Sequence, residues 1–529
     1  MRISTAQYFE TSAAKYQNNF SSIVKTQEQI TSGVRIQSAG DDPVGAAQLL
    51  MLQQQKAMLG QYSTNMGSIK SSLSNQESVL ESLNTSIQRG RELALQAGNG
   101  GYSDADRKSI ASEIGEIEEQ VLGLLNSKDP SGNYMFSGSK TLTPPYVRNN
   151  DGTYSYQGDD NQLSLQVSDI LSIATNDTGK SVLESATNSG RTQAVLDPSK
   201  PNDGTVSVSA GLMKSNAAYT KNFAAGEPYE LKFVDSTHYT IADKDGNDVT
   251  TEVSGNGTFD ASKQGGSTIN LRGVEFDITL RLKAPIDPVT TLPMTPDEEV
   301  KDHIFSLGTK PDSFNSSRTP SNTSTAQITG SGVSSQSDYV NGFPNSGVVV
   351  KFTDATNYEV FAQPMGSDSK PIGAGVLTAG SITVAGVKLD FTGAPAANDQ
   401  FVVGASSHKT QSALDTLSQL RQALETPADG NDLAQIKLKD AVNAAISNLS
   451  NSSEQIDNVR GSIGARLGAI DIQSAENTSI GLVNTSTQAA IGDTDVATAS
   501  IDLAFQQSLL QASQLAFVKI AQLSLFNKL

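Results

Sequence analysis

The chain has 529 residues, 36% hydrophobic and only 18% charged, with 56 acidic against 38 basic side chains and a formal net charge of −18. That length exceeds what one hydrophobic core organises, and the acidic balance provides no positive field to draw nucleic acid or an anionic membrane surface. Cysteine is absent, which excludes disulfides and thiol chemistry, and no stretch approaches the roughly 20 apolar residues that span a bilayer, so membrane insertion is not expected.

The first nine residues, Met1-Arg2-Ile3-Ser4-Thr5-Ala6-Gln7-Tyr8-Phe9, show neither an apolar run nor a small-residue cleavage site. A cleavable secretory signal is therefore not expected there, and any export would take another route. Residues 1–130 read as helix with interruptions. Gly33 and Ser38-Ala39-Gly40-Asp41-Asp42-Pro43 break the pattern, because Pro43 disfavours helical geometry in Asp42 and glycine frees the backbone. Asp42 is placed to cap a helix that Pro43 opens. Beyond it Ile69, Leu73, Leu80, Leu83 and Ile87 recur at three- and four-residue steps, with Gln76 in one seam position. Such a face predicts packing against another long helix. After Gly98-Asn99-Gly100-Gly101 a further helix is expected, capped near Ser103 or Asp104 and carrying Ile110, Ile114, Ile117, Val121 and Leu124.

Between about 133 and 404 short alternating runs, such as Tyr154-Ser155-Tyr156-Gln157 and Leu163-Ser164-Leu165-Gln166-Val167, are separated by Gly, Asp and Asn. These are hairpin signals. Within this region Lys232-Phe233-Val234-Asp235-Ser236-Thr237-His238-Tyr239 matches Lys351-Phe352-Thr353-Asp354-Ala355-Thr356-Asn357-Tyr358, at an offset of 119. Ile269-Asn270-Leu271-Arg272-Gly273-Val274-Glu275-Phe276-Asp277 matches Ile382-Thr383-Val384-Ala385-Gly386-Val387-Lys388-Leu389-Asp390, at an offset of 113. Two ordered matches at nearly one spacing predict two copies of a small β domain, joined by the Ser/Thr/Pro/Gly-rich stretch near 305–345.

Helical periodicity returns at the C-terminal end. Val442, Leu449, Ile456, Ile463 and Ile470 stand seven apart, with Leu438, Ala445, Val459 and Leu467 filling intermediate places. A strict sevenfold step argues for a coiled-coil-like seam. Residues 494–525 carry two apolar stripes: Leu503, Leu510 and Phe517, and Phe505, Leu509, Ala512, Ala516, Ile520 and Leu523. A helix apolar on two sides calls for neighbours on both, hence self-assembly.

Chemistry is hard to find. His238, His303 and His408 fall in separate segments without ligand spacing. Ala174-Thr175-Asn176-Asp177-Thr178-Gly179-Lys180-Ser181 ends like a phosphate loop but lacks its first glycine. Asp243-Lys244-Asp245-Gly246 reads as a hairpin turn. The pairs Glu118-Glu119 and Glu298-Glu299 read as solvated faces. Arg460 and Arg466 flank Gly461 and Gly464; they either line a polar face or reach carboxylates on a neighbouring helix or subunit. Neither catalytic residues nor a cofactor or metal site is expected.

The stretch Gln29-Ile30-Thr31-Ser32-Gly33-Val34-Arg35-Ile36-Gln37-Ser38-Ala39-Gly40-Asp41-Asp42-Pro43-Val44-Gly45-Ala46-Ala47 resembles the N-terminal signature of the bacterial flagellin family, shared by flagellins and hook-filament junction proteins (hook-associated protein 3). The start Met1-Arg2-Ile3-Ser4-Thr5 with Tyr8-Phe9 resembles the junction branch. So do Gly132-Asn133-Tyr134-Met135-Phe136-Ser137-Gly138-Ser139-Lys140-Thr141, Pro144-Pro145-Tyr146, Tyr156-Gln157-Gly158-Asp159 and the end Gln522-Leu523-Ser524-Leu525-Phe526-Asn527-Lys528-Leu529. Lys528 departs from the aromatic that the family pattern places before the final Leu. The matches cover residues 1–185 and 405–529, and leave the central repeat outside them.

This resemblance implies a secreted structural subunit of the bacterial flagellum at the hook-filament junction, with flagellin itself, or a junction protein whose insert binds glycans or acts as an adhesin, as alternatives. It implies an α+β multidomain fold of long terminal helices in a coiled-coil-like bundle with a β-hairpin region and two β-rich inserts. Terminal core segments are expected at 1–50 with 485–529, a helical rod at 51–185 with 405–484, and inserts at 186–304 and 305–404. Implied partners are copies of itself in a ring of eleven, flagellin, hook-associated protein 1 and a flagellar export chaperone, with passage through the type III export apparatus. Carried onto this sequence, Arg35, Ile36, Asp41, Asp42, Pro43, Arg460 and Arg466 would serve inter-subunit or core packing. Leu503, Phe505, Leu509, Leu510, Phe517, Ile520, Leu523, Leu525 and Leu529 would form the terminal assembly or chaperone helix.

Overall fold

The computed structural model describes residues 5–526 apart from 150–151, 200–203, 261–262, 264–265, 288–291, 345 and 367. Six long helices frame the chain: α1 (Thr5–Ser32), α2 (Pro43–Ala97), α3 (Asp104–Leu125), α4 (Ala413–Glu425), α5 (Asp432–Gly492) and α6 (Val496–Phe526). β-Structure fills the interval between α3 and α4. The fold is α+β and multidomain, and it divides into two compact units: Met1–Ser74 with Leu163–Thr175 and Ile463–Leu529, and Asn75–Gln162 with Asn176–Ser462. The first unit thus takes in more of α2 and α5 than the expected 1–50 and 485–529.

Helix boundaries follow local chemistry. α2 opens on Pro43, and Asp42 Oδ1 accepts the Gly45 N–H at 2.9 Å, satisfying a donor that has no partner within the helix. α3 opens on a capping box in which Ser103 receives the Asp106 N–H and Asp106 receives that of Ser103.

In the second unit the seam residues Leu80, Leu83, Ile87, Leu449 and Ile456 are all fully buried. α2 and α5 run antiparallel here, since Glu77 meets Arg460 and Asn84 meets Asp457. Gly90 marks the closest approach: a Cβ there would lie 2.8 Å from Leu417, with Leu449 and Ile117 next, so four helices converge on one glycine. Gln76 is buried in the same row because it replaces backbone partners. Its amide donates to Met135 O at 2.7 Å, and its carbonyl accepts the Asp177 N–H at 3.0 Å. In the first unit, antiparallel contact of α2 with α5 is carried by Lys70–Asp471 and by Asn484, which donates to Leu52 O at 3.0 Å. The hairpin Ser164–Gln166/Ser172–Ala174 is tied to α2 by Asn65 and Tyr62.

The two repeats share one strand order. The first has a sheet ordered 192–196, 304–309, 229–233, 239–242; the second, 313–318, 400–406, 348–352, 357–362, with 373–376 added at its edge. Each also has a second sheet around its second hairpin, 267–271/274–280 and 381–384/387–392. The matched sequences perform matched tasks. Asp235 accepts the N–H groups of Thr237 and His238, and Asp354 those of Thr356 and Asn357. Arg272-Gly273 and Ala385-Gly386 both turn at positive φ, as a two-residue hairpin turn requires. Each repeat has its own apolar core, around Phe223, Phe233 and Phe276 in the first and Phe352, Phe391 and Phe401 in the second.

Two expectations are corrected here. The stretch 305–345 is not a linker: it forms strands Ile304–Thr309, Ser313–Arg318 and Gln327–Val333. A boundary at 304/305 would sever Ile304–Thr309, which pairs with both 192–196 and 229–233. Its polar residues misled because burial alternates along a strand even where neighbours pair on both sides, and only Phe305 and Leu307 are buried.

Candidate assembly interface

α6 has two charged residues in its whole length, Asp502 and Lys519. It packs along α1 within the first unit, where Gln514 donates to Tyr16 OH at 3.2 Å and Thr26 Oγ1 to Gln506 Oε1 at 3.3 Å. That contact covers only part of its apolar surface. Leu503 and Leu510 are half-buried, whereas Phe505, Leu509 and Phe517 are exposed, Phe505 at 63%. Ile501, Leu515 and Val518 add to the exposed area, as do Phe20 and Val24 of α1. A cavity of about 620 Å³ runs between the helices, lined by Thr11, Tyr16, Gln17, Gln514, Phe517 and Val518. The side chains of Ile520, Leu523 and Leu525, and Leu529 as a whole, lie outside the described residues.

The turn between α1 and α2 is built from the other expected group. Arg35 donates through Nε and Nη2 to Ile491 O at 3.1 and 2.7 Å, and lies 3.6 Å from Asp42. Ile36 is buried, and Pro43 starts α2. Asp41 collects the N–H groups of Gln37 and Ser38 at 3.1 and 2.9 Å and the Lys25 ammonium at 2.5 Å. Lys25 first, then the Ser38 N–H, hold its carboxyl down at about 2. These contacts lie within one chain and fix the turn as a rigid piece. Arg460 and Arg466, expected together, part company. Arg460 pairs with Glu77 of α2 at 2.9 Å, whereas Arg466 donates to the Ala174 carbonyl at 3.3 Å.

Sequence reasoning missed two buried acids and two partly buried ones. Glu118 is not a solvated residue: it is 1% exposed and accepts Arg421 Nε at 2.8 Å and Tyr154 OH at 2.6 Å, while Glu119 stays outside with Arg148. Glu299 is likewise buried, taking the N–H groups of Lys283 and Ala284 at 2.7 and 3.0 Å. Glu184 sits where burial, with Asp415 nearby, raises its carboxyl to about 7. Asp440 is raised by burial to about 6 although it accepts the Ala210 N–H at 2.9 Å. The only signal in sequence was a carboxylate beside apolar helix positions, which does not separate buried from exposed.

His238 contacts Asp235, His303 the Val300 carbonyl and His408 the Pro311 carbonyl. Among the described residues no group of three or more potential ligands could hold a metal, and no helix is long and apolar enough to cross a membrane.

Residues 3–141 match the bacterial flagellin N-terminal helical region. The chain is 34% identical over 187 residues to flagellar hook-associated protein 3 of Salmonella typhimurium, covering 35% of this chain and 58% of that protein. Against flagellar hook-associated protein 3 of Escherichia coli it is 32% identical over 198 residues, covering 37% and 60%. It thus spans less than two thirds of the length of either relative. With the flagellin of Bacillus subtilis it shares 33% identity over 137 residues, or 45% of that protein. Among solved structures, the flagellar junction protein FlgL from Legionella pneumophila aligns over 84% of this chain and all of its own, at 21% identity and a TM-score of 0.45.

Proposed function

We propose, from the match of residues 3–141 to the bacterial flagellin N-terminal helical region, that the protein is a structural subunit of the flagellum that joins the hook side to the flagellin filament. The observation that carries this reading is the exposed apolar surface of α6, where Phe505 and Leu515 stand in solvent on a helix with only two charged residues. Each such side chain offers roughly 1.5–3 kcal/mol when a neighbour covers it. The likeness to two hook-associated proteins of this name supports the junction over the filament, because it extends over a larger share of those proteins than of the flagellin.

On this reading the chain has no enzymatic activity. Its partners are neighbouring copies in a ring, flagellin on one side, hook-associated protein 1 on the other, and an export chaperone that guards α6 before assembly. The site is the helical surface comprising Leu503, Phe505, Leu509, Leu510 and Phe517, steadied by the turn around Arg35, Ile36, Asp41, Asp42 and Pro43. Arg460 and Arg466 act in packing of the helical core. Replacing Leu510 or Phe517 by Asp is expected to leave the β domains folded and block incorporation. Normal incorporation of both variants would remove α6 from the role.

Flagellin is the second reading, favoured by the shared N-terminal region. Sedimentation of the full chain with short flagellin seeds separates the two. A junction subunit binds seed ends without elongating them, whereas growth of long polymers would make the chain a flagellin.

A further inference from the structure

One difference between the two repeats lies at a sheet edge. In the first, the outer edge of strand Tyr239–Ala242 is closed by the chain that follows: Val249 donates to Ile241 O at 2.9 Å, and Tyr239 donates to Gly257 O at 2.8 Å. An irregular segment with a 3₁₀ turn at Thr250–Glu252 covers the edge and ends the sheet. In the second repeat the corresponding chain returns as a regular strand, Gly373–Val376, paired with 357–360 and itself the last in its sheet. Closing an edge is how sheets avoid pairing with other chains. Among the described residues no strand lies beyond the edge of the second repeat, where the Thr378 hydroxyl donates to Val376 O at 3.4 Å.

The composition of that strand is unusual for an open edge. Ile372 and Val376 are exposed at 51% and 56%, and Ala374 is exposed between them on the same side. The intervening Gly375 faces the core, where a Cβ would lie 2.5 Å from Tyr358 OH. The strand itself carries no charged residue. Leu377 donates to Thr356 O at 2.8 Å. Hydrogen-bonded positions alternate in an antiparallel ladder, so the N–H groups of Ala374 and Val376 turn away from the sheet.

We propose that this edge pairs antiparallel with the same strand of a second copy of the chain, joining two second-repeat sheets into one. The strand is self-complementary. Brought together about Gly375, Ala374 faces the partner's Val376 and Val376 faces the partner's Ala374, so the outward N–H groups of each strand meet outward carbonyls of the other. Their aliphatic side chains then form one stripe across the join. An unrelated extended peptide would satisfy the backbone alone. This contact is separate from the α6 surface and does not depend on the function proposed above.

The absence of cysteine permits a direct test on the full chain. Ala374→Cys carrying one tag is mixed with Val376→Cys carrying another, and disulfide formation between the two is followed under mild oxidation. Opposed positions in such a ladder have Cα atoms about 5.5 Å apart, within disulfide reach. The mixed pair is expected to cross-link at least tenfold faster than Leu142→Cys, a control residue 83% exposed. It should fall to the control rate when Ile372→Lys is added to both chains. Mixed cross-linking at the control rate would overturn the proposal. So would a fast reaction that survives the lysines, or equal reaction of each cysteine variant with itself, because neither reflects pairing in this register.

Discussion

Glu118 of α3 and Arg421 of α4 meet at 2.8 Å, with the carboxylate 1% exposed and the guanidinium largely covered. Tyr154 OH donates to the second oxygen at 2.6 Å, so one acid joins two helices and the first hairpin. Truncating one partner of a buried pair strands the other charge, typically at about 3–5 kcal/mol. Arg421 keeps Glu425 at 3.1 Å, so Glu118→Ala is expected to cost the lower end of that range, about 3 kcal/mol, in chemical denaturation. The double variant Glu118→Leu/Arg421→Met should recover most of the loss, because an apolar pair leaves no stranded charge. A double variant no more stable than Glu118→Ala would show that the pair itself, and not its desolvation, holds the helices.

Glu184 gives a pH-dependent prediction of the opposite kind. Its folded carboxyl is raised from 4.5 to about 7, by burial first and then by Asp415. The folded state therefore holds the proton more tightly than the unfolded state. Stability is lost as pH rises through this window, and the penalty is complete above about 7. Glu184→Gln is expected to stabilise the second unit at pH 8 by up to roughly 3 kcal/mol and to change little at pH 4. Equal effects at the two pH values, read from urea midpoints, would count against it.

At the turn between α1 and α2 the sign reverses. Asp41 is held at about 2, chiefly by Lys25 and the Ser38 N–H, so its contribution is present above the ordinary carboxylate value and fades as pH falls towards 2. Asp41→Asn should speed amide exchange at Gln37 and Ser38 at neutral pH. The difference from the parent chain should shrink in acid. Unchanged protection of both amides would remove Asp41 as the organiser of this turn.

Two helical glycines are expected to respond in opposite directions. A Cβ at Gly90 would meet Leu417 at 2.8 Å among fully buried neighbours, whereas one at Gly464 meets nothing within 4 Å. Gly90→Ala should cost about 1–3 kcal/mol through overpacking. Gly464→Ala should gain up to about 1 kcal/mol of helix propensity. Thermal midpoints of the two variants test the pair, and a stabilised Gly90→Ala would mean that Leu417 can yield.

The sequence by itself determined what depends on near neighbours. The sevenfold step from Val442 to Ile470 named a seam, and each of its five residues is buried. Ser103 and Asp42 stood where caps form, and they cap. Asp235 and Asp354 announced equivalent turns because an Asp side chain bonds to backbone two and three residues on. What only the tertiary structure decided is which distant group meets each of these. Glu118 and Glu119 are alike in sequence, and burial separates them because Arg421, 303 residues away, reaches one and not the other. The strand Ile304–Thr309 has the composition of a linker and becomes a sheet member because two strands of its own repeat flank it. Periodicity fixes the direction in which a side chain points. Its electrostatic surroundings are set by chain segments brought together only on folding.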